Sequence, residues 1–213
     1  MAVRNVMSRS SRKFRVKFPS KKLNRMVACE SLLELDAVLH FEFSPGIVSF
    51  QEQPAMIHYE HDGATRRYFP DFELVMRNGE VMYVEVKPKT KLSSPQLASK
   101  LTAIAEHYNR KNQRFLVLTD AVLRQQPRLN NLRLLARVQH CKDDLKLPQI
   151  VARDLLEYGQ QIPFSKLSEQ LGNLDTLRLI ASGHICCEID SYLISEHCKV
   201  KLSEGADHDA ILL

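Results

Sequence analysis

Apolar residues change their spacing several times along the chain, and each change marks an element. Ser31-Leu-Leu-Glu34, followed by apolar Leu35, Ala37, Val38, Leu39 and Phe41, predicts a mostly buried helix opened by a capping box and ending before Ser44-Pro45-Gly46. The pattern then shortens to strand period. Ile47 to Gln53 predicts a strand, and Met56 to His61 a second one that turns at Asp62-Gly63. Helical spacing returns over Gln96 to Arg110, with Leu97, Leu101, Ile104 and His107/Tyr108 on one face. Arg114 to Thr119 (RFLVLT) is a short continuous apolar run, as expected of a central strand covered on both sides. Helix, strands, helix and strand in this order predict an α/β unit with a mixed sheet.

Between these elements lies YFPDFELVMRNGEVMYVEVKPK, Tyr68 to Lys89. Asn78-Gly79 between two β-rich runs predicts a hairpin, but two registers are open to it. A two-residue turn would set Phe72 against Glu85 and Glu73 against Val84, mixing charge with apolar groups on both faces. A three-residue loop, Arg77-Asn78-Gly79 with Gly79 left-handed in a bulge, sets Phe72 against Val84 and Leu74 against Met82 on one apolar face. The second register is therefore expected. On its other face Asp71 lies opposite Glu85, with β-carbons roughly 5 Å apart, and Lys87 follows two residues further along. Two facing carboxylates repel, so unless one is protonated the arrangement asks for a cation between them.

After about residue 140 the character changes. Leu147 to Tyr158, Phe164 to Leu171 and Asp175 to Ser182 are three short helical patterns, followed by a β-like run from His184 to Val200. This order matches a winged helix. Four segments are thus expected: a basic N-terminal arm over 1–25, an α/β domain over 26–140, a small winged-helix-like domain over 141–202 and a flexible tail over 203–213.

Composition adds a partner class. The 213 residues are 44% hydrophobic, enough for buried cores, and carry a net charge of +5. Residues 1 to 25 hold nine Arg or Lys and no acid. Such an arm is either solvated or follows a phosphate backbone. No apolar run reaches the roughly 18 residues of a membrane helix or forms a signal peptide, so a cytoplasmic protein without a membrane partner is expected. The five cysteines have no C-x-x-C spacing. Cys186, Cys187 and Cys198 with His184 are the only zinc candidates, and buried thiols are the simpler reading.

The chemistry converges on P-D-x13-E-x-K, from Asp71 to Lys87. The strand period sends Glu85 and Lys87 to one face while Val84 and Val86 anchor the other. Two carboxylates can hold Mg2+ or Mn2+, which polarises a phosphodiester and lowers the pKa of bound water, and Lys87 can orient that water or neutralise charge on phosphate oxygens. E-x-K alone is common on solvated strands; its pairing with Asp71 singles it out. Glu73 shares the Asp71 face as a peripheral charge. A third acid would come from the first helix. Glu34 has Ala37, Val38 and Phe41 at i+3, i+4 and i+7 and so points to a buried side, although it also fits as the glutamate of the Ser31 capping box. Glu30 is the fallback.

These residues resemble a family. The order E…PDF…E-V-K-P is similar to the PD-(D/E)xK nuclease fold, a restriction-endonuclease-like α/β mixed sheet flanked by helices. More narrowly it resembles the TnsA endonucleases of TnsABC-type transposons, through ESLLELDAVLHFEFSPGIVSFQEQP (30–54), YFPDFELV (68–75) and YVEVKPK (83–89). The arm and the HFEFSP turn look most like TnsA of CRISPR-associated, guide-RNA-directed transposons. The resemblance is strongest over residues 28–140. It implies Glu34 as the helix acid, Asp71 and Glu85 as metal ligands, Val86 as a backbone carbonyl ligand, Lys87 as catalytic lysine, and Mg2+ or Mn2+ as cofactor. It further implies cleavage of the 5′ strands of double-stranded transposon ends alongside the TnsB transposase and the AAA+ regulator TnsC, with a guide-RNA complex acting indirectly. A stand-alone restriction-like or junction-resolving nuclease is one alternative. A non-catalytic adaptor for TnsC and DNA is another, against which the clustered acids speak, because a scaffold has no need of them.

Overall fold

In the computed structural model, which describes residues 15–141, 144–156 and 159–203, the chain divides between Leu123 and Arg124 into two compact units. The expected border at 140 is therefore displaced toward the N-terminus. Residues 1–14 of the expected arm and 204–213 of the expected tail lie outside the described residues.

The first unit corrects the reading of the remaining arm. β1 (Val16–Ser20) and β2 (Arg25–Cys29) form an antiparallel hairpin in which Phe18, Val27 and Cys29 are buried. The dense lysines and arginines hide this alternation in the sequence. The hairpin is tied to α1 (Leu32–Phe43) from both sides of its turn. Glu42 of α1 accepts from the Ser20 hydroxyl at 2.6 Å and from the Lys21 and Lys22 N–H groups at 2.8 and 3.0 Å. Lys22 Nζ in turn donates to the carbonyls of Phe41, Ser44 and Ile47 at 2.6 to 2.7 Å. An ammonium thus satisfies acceptors that the end of a helix leaves open, where the helix dipole favours positive charge.

Beyond α1, β3 (Ile47–Glu52), β4 (Ile57–His61), β5 (Ala64–Tyr68), β6 (Phe72–Met76) and β7 (Val81–Val86) follow, then a 3-10 turn (Lys89–Lys91), α2 (Pro95–Asn109), β8 (Arg114–Leu118) and the short α3 (Asp120–Leu123). The main sheet has the order β3-β6-β7-β8 and is mixed: β7 runs antiparallel to β6 and parallel to β8, to which α2 connects it. β4 and β5 stand outside it as a separate two-stranded sheet. α1 covers one face, where Phe41 meets the Phe72 ring at 5.2 Å. α2 covers the other, where Tyr108 stacks on Tyr83 at 4.3 Å. This is the expected restriction-endonuclease-like arrangement, a mixed sheet flanked by helices.

The hairpin takes the three-residue-loop register. Phe72 pairs with Val84 and Leu74 with Met82, all four buried. Met76 N–H donates to Glu80 at 2.8 Å, Gly79 N–H donates to Met76 at 2.9 Å, and Gly79 has φ +84°. Only a residue tolerant of positive φ closes this loop cheaply.

The second unit holds α4 (Arg128–Val138), α5 (Lys146–Leu155), β9 (Ile162–Pro163), α6 (Phe164–Leu171), α7 (Asn173–Ala181), β10 (Ile185–Cys187) and β11 (Lys199–Leu202). Its three short strands are antiparallel in the order β10-β11-β9. α4 packs on α7, which places it in this unit and moves the border ahead of it. The expected β-like run 184–200 is interrupted by a loop over 188–198. That loop is tied to α4: Asn131 Nδ2 donates to the Ile189 and Tyr192 carbonyls at 2.8 Å each, its Oδ1 accepts from Ile194 N–H at 2.9 Å, and Arg128 pairs with Asp190. Cys186, Cys187 and Cys198 form no disulfide and are half-buried rather than buried.

Candidate active site

Asp71 is placed by three strands at once. The β6/β7 register, continued one residue past Phe72 and Val84, sets it opposite Glu85. Its carbonyl accepts from Gln53 N–H at 2.8 Å, which continues the β3/β6 ladder. Its carboxylate oxygen Oδ2 accepts from Val86 N–H at 2.8 Å. Glu85 lies on β7, between β6 and β8, and is only 3% exposed. Beyond the end of β7, Lys87 N–H donates to Leu118 O at 3.0 Å, so the strand direction is held as far as the lysine.

The facing carboxylates find their cation within the chain. Lys87 Nζ lies 2.6 Å from Glu85 Oε1, 3.4 Å from Asp71 Oδ2 and 3.3 Å from the Val86 carbonyl oxygen. Burial opposes charge on the Lys87 ammonium, but Asp71 and Glu85 offset this and raise its pKa above the ordinary value. Burial and the neighbouring Glu85 raise Asp71 as well, to about 7, which favours its neutral form, with Lys87 and the Val86 N–H only partly countering.

Glu34 is engaged at the start of α1. Its Oε2 accepts from Glu30 N–H at 2.7 Å and its Oε1 from the Ser31 hydroxyl at 3.1 Å, while its own N–H donates to Ser31 Oγ. It is thus the capping-box glutamate. Burial raises its pKa, and it exerts electrostatic influence on Asp71 and feels that of Lys87. α1 covers the face that carries Phe72 and Val84, whereas the pleat puts Glu85 on the opposite face. Among the described residues no three His, Cys, Asp or Glu side chains gather closely enough to hold a metal, which applies to Glu34 with the acid pair and to the cysteine set alike. Glu73 lies across from Tyr83 and engages its hydroxyl.

One contact had not been expected. The Tyr68 hydroxyl donates a short hydrogen bond to Glu85 Oε2. Tyr68 ends β5, and its ring is buried with Tyr59, Ile104 and Tyr108. Burial and Glu85 together hold the phenol far above its ordinary pKa, so it remains a donor. The apolar alternation of Ile57, Tyr59 and Tyr68 in the small hairpin is legible; its partner on another sheet is not.

A mixed sheet flanked by helices, with two carboxylates and a lysine gathered where β6 begins and β7 ends, is a restriction-endonuclease-like arrangement. One step narrower, residues 44–120 match the family described as TnsA-like endonuclease N terminal. Asp71, Glu85, Val86 and Lys87 fall inside the matched stretch and Glu34 outside it. No curated protein matches the chain. No helix among the described residues is long and apolar enough to cross a membrane.

Proposed function

We propose that this chain is a metal-dependent DNA endonuclease of Tn7-like transposition, one that cuts the 5′ strands at transposon ends together with a TnsB transposase and a TnsC regulator. The observation that carries the reading is the convergence of Glu85 Oε1, Asp71 Oδ2 and the Val86 carbonyl on one positive charge, within the stretch similar to TnsA-like endonucleases. Three hard oxygen donors around a cation fit Mg2+ or Mn2+. Asp71, Glu85 and the Val86 carbonyl would hold the ion, and Glu34 adds negative potential from its cap. The bound ion supplies Lewis-acid polarisation of the phosphodiester and a more acidic water.

The remaining work falls to side chains of this protein. Lys87 keeps its proton at neutral pH, so it serves as a cation that pairs with phosphate oxygens rather than as a base. Burial and Glu85 raise the pKa of Asp71 to about 7, and a divalent cation in place of the Lys87 ammonium would favour its ionised form. In the second unit, α5-β9-α6-α7-β10-β11 has the element order of a winged helix, which suits binding to DNA or to TnsC. The HFEFSP turn supports a guide-RNA-directed member of the group.

The reading is tested by strand cleavage on labelled transposon-end DNA with Mg2+ or Mn2+, comparing wild type with Asp71→Ala, each with and without TnsB and TnsC. Cleavage of 5′ strands that needs the partners and vanishes in Asp71→Ala is expected. Unchanged 5′ cutting by the variant would refute the site, and cutting without partners would refute the transposon-dependent role.

A further inference from the structure

We propose that Tyr68 is a positioning residue of this site: its hydroxyl holds Glu85 Oε2, leaving Oε1 alone to face the incoming cation. The inference rests on the reading of Asp71 and Glu85 as a divalent-cation site and extends it to a residue on a different sheet.

A glutamate at the end of a strand has three rotatable bonds, and ordering them costs free energy at the moment of binding unless another contact has already done so. Here each carboxylate oxygen has its own partner. Oε1 meets Lys87 at 2.6 Å and Oε2 meets the Tyr68 hydroxyl. A divalent ion would displace the ammonium from Oε1 but has no reason to displace the phenol, which lies on the other oxygen. The Tyr68 ring cannot easily follow a moving carboxylate. It is 5% exposed and lies edge-on to Tyr59 at 6.3 Å and to Phe115 at 6.4 Å, with Lys100 Nζ 5.3 Å from its centroid. The small β4/β5 sheet therefore acts as a bracket: its outer residues are exposed, and its rooted end fixes one ligand of the site. Hydrogen bonds of this kind around a ligand set govern which oxygen binds and how tightly.

A purely structural role, in which Tyr68 merely satisfies a buried carboxylate, makes a different prediction, and Mn2+ binding separates the two without any need for catalysis. Mn2+ is titrated into the full-length protein and followed by electron paramagnetic resonance. Tyr68→Phe is expected to weaken Mn2+ binding by about 10- to 100-fold, whereas Tyr59→Phe, which removes another hydroxyl from the same cluster, leaves it unchanged. In a Glu85→Gln background Tyr68→Phe should have no further effect. Should Tyr68→Phe fail to fold, the wild-type protein still decides the matter: infrared difference spectra on adding Mg2+, assigned by their loss in Glu85→Gln, should show the wide carboxylate band splitting of one-oxygen binding. Equal Mn2+ affinity in wild type and Tyr68→Phe, or the narrow splitting of two-oxygen binding, would overturn the positioning role while the metal site stands. Absence of Mn2+ binding by wild type would overturn both.

Discussion

Replacing Asp71 by Asn should stabilise the metal-free protein at neutral pH while abolishing its chemistry. The substitution keeps the oxygen that accepts from Val86 N–H and removes only the titratable proton. In the wild type, burial and Glu85 raise Asp71 from 3.8 to about 7. The folded protein therefore retains a proton up to about pH 7 that the unfolded chain releases near pH 4, so stability falls as pH rises through that window. At 1.36 kcal/mol per pKa unit the full shift amounts to about 4 kcal/mol. Solvent screening at the Asp71 side chain, which is 19% exposed, reduces the expected gain to about 2 to 4 kcal/mol. Urea unfolding in EDTA, repeated from pH 4 to pH 8, gives the difference between variant and wild type directly. That difference should grow in favour of Asp71→Asn across the window and level off above it. A variant that instead loses ground as pH rises would mean that the Lys87 ion pair outweighs burial and that Asp71 is an ordinary ionised carboxylate. Saturating Mn2+ should reverse the order, because it stabilises only the protein that binds it.

Three further outcomes follow from the same geometry. Lys87→Met removes the ammonium from among the three oxygens, so Mn2+ should bind about tenfold tighter, corresponding to about 1.4 kcal/mol, while DNA cleavage is lost; calorimetric titration showing unchanged or weaker binding would mean that the lysine does not occupy the cation position. Gly79→Val forces a β-branched residue to a φ of +84° and should cost about 1 to 2 kcal/mol, read as a lower urea midpoint at unchanged slope. Lys22→Met leaves the Phe41, Ser44 and Ile47 carbonyls without their common donor and should cost about 2 to 4 kcal/mol in the same assay, without affecting Mn2+ affinity.

What could be foreseen from the sequence divides along the range of the interactions involved. The β6/β7 register follows from two short-range demands, a period-2 apolar face and a glycine where φ must be positive, and these suffice to bring Asp71 opposite Glu85. The capping box at Ser31 is equally local, and Glu34 satisfies it; the idea that Glu34 also serves as a ligand depends on which sheet face α1 covers, and no pattern within α1 records that. In the β1/β2 hairpin the alternation of Phe18, Val27 and Cys29 is present, but the lysines and arginines that surround it in the sequence, from Arg12 to Arg25, dominate the reading. α4 carries buried Leu129, Leu132 and Leu135 at helical spacing, yet spacing does not say whether they pack on the sheet or on α7, and the border moved to Leu123 as a result. Tyr68 makes the same point within the site. The acid pair and its lysine arise from neighbouring strands and were visible as a motif, whereas the contacts that set their charge and orientation come from burial under α2 and from a separate sheet. Motif residues can therefore be named from pairing rules, while the residues that tune them are found only where the tertiary packing delivers them.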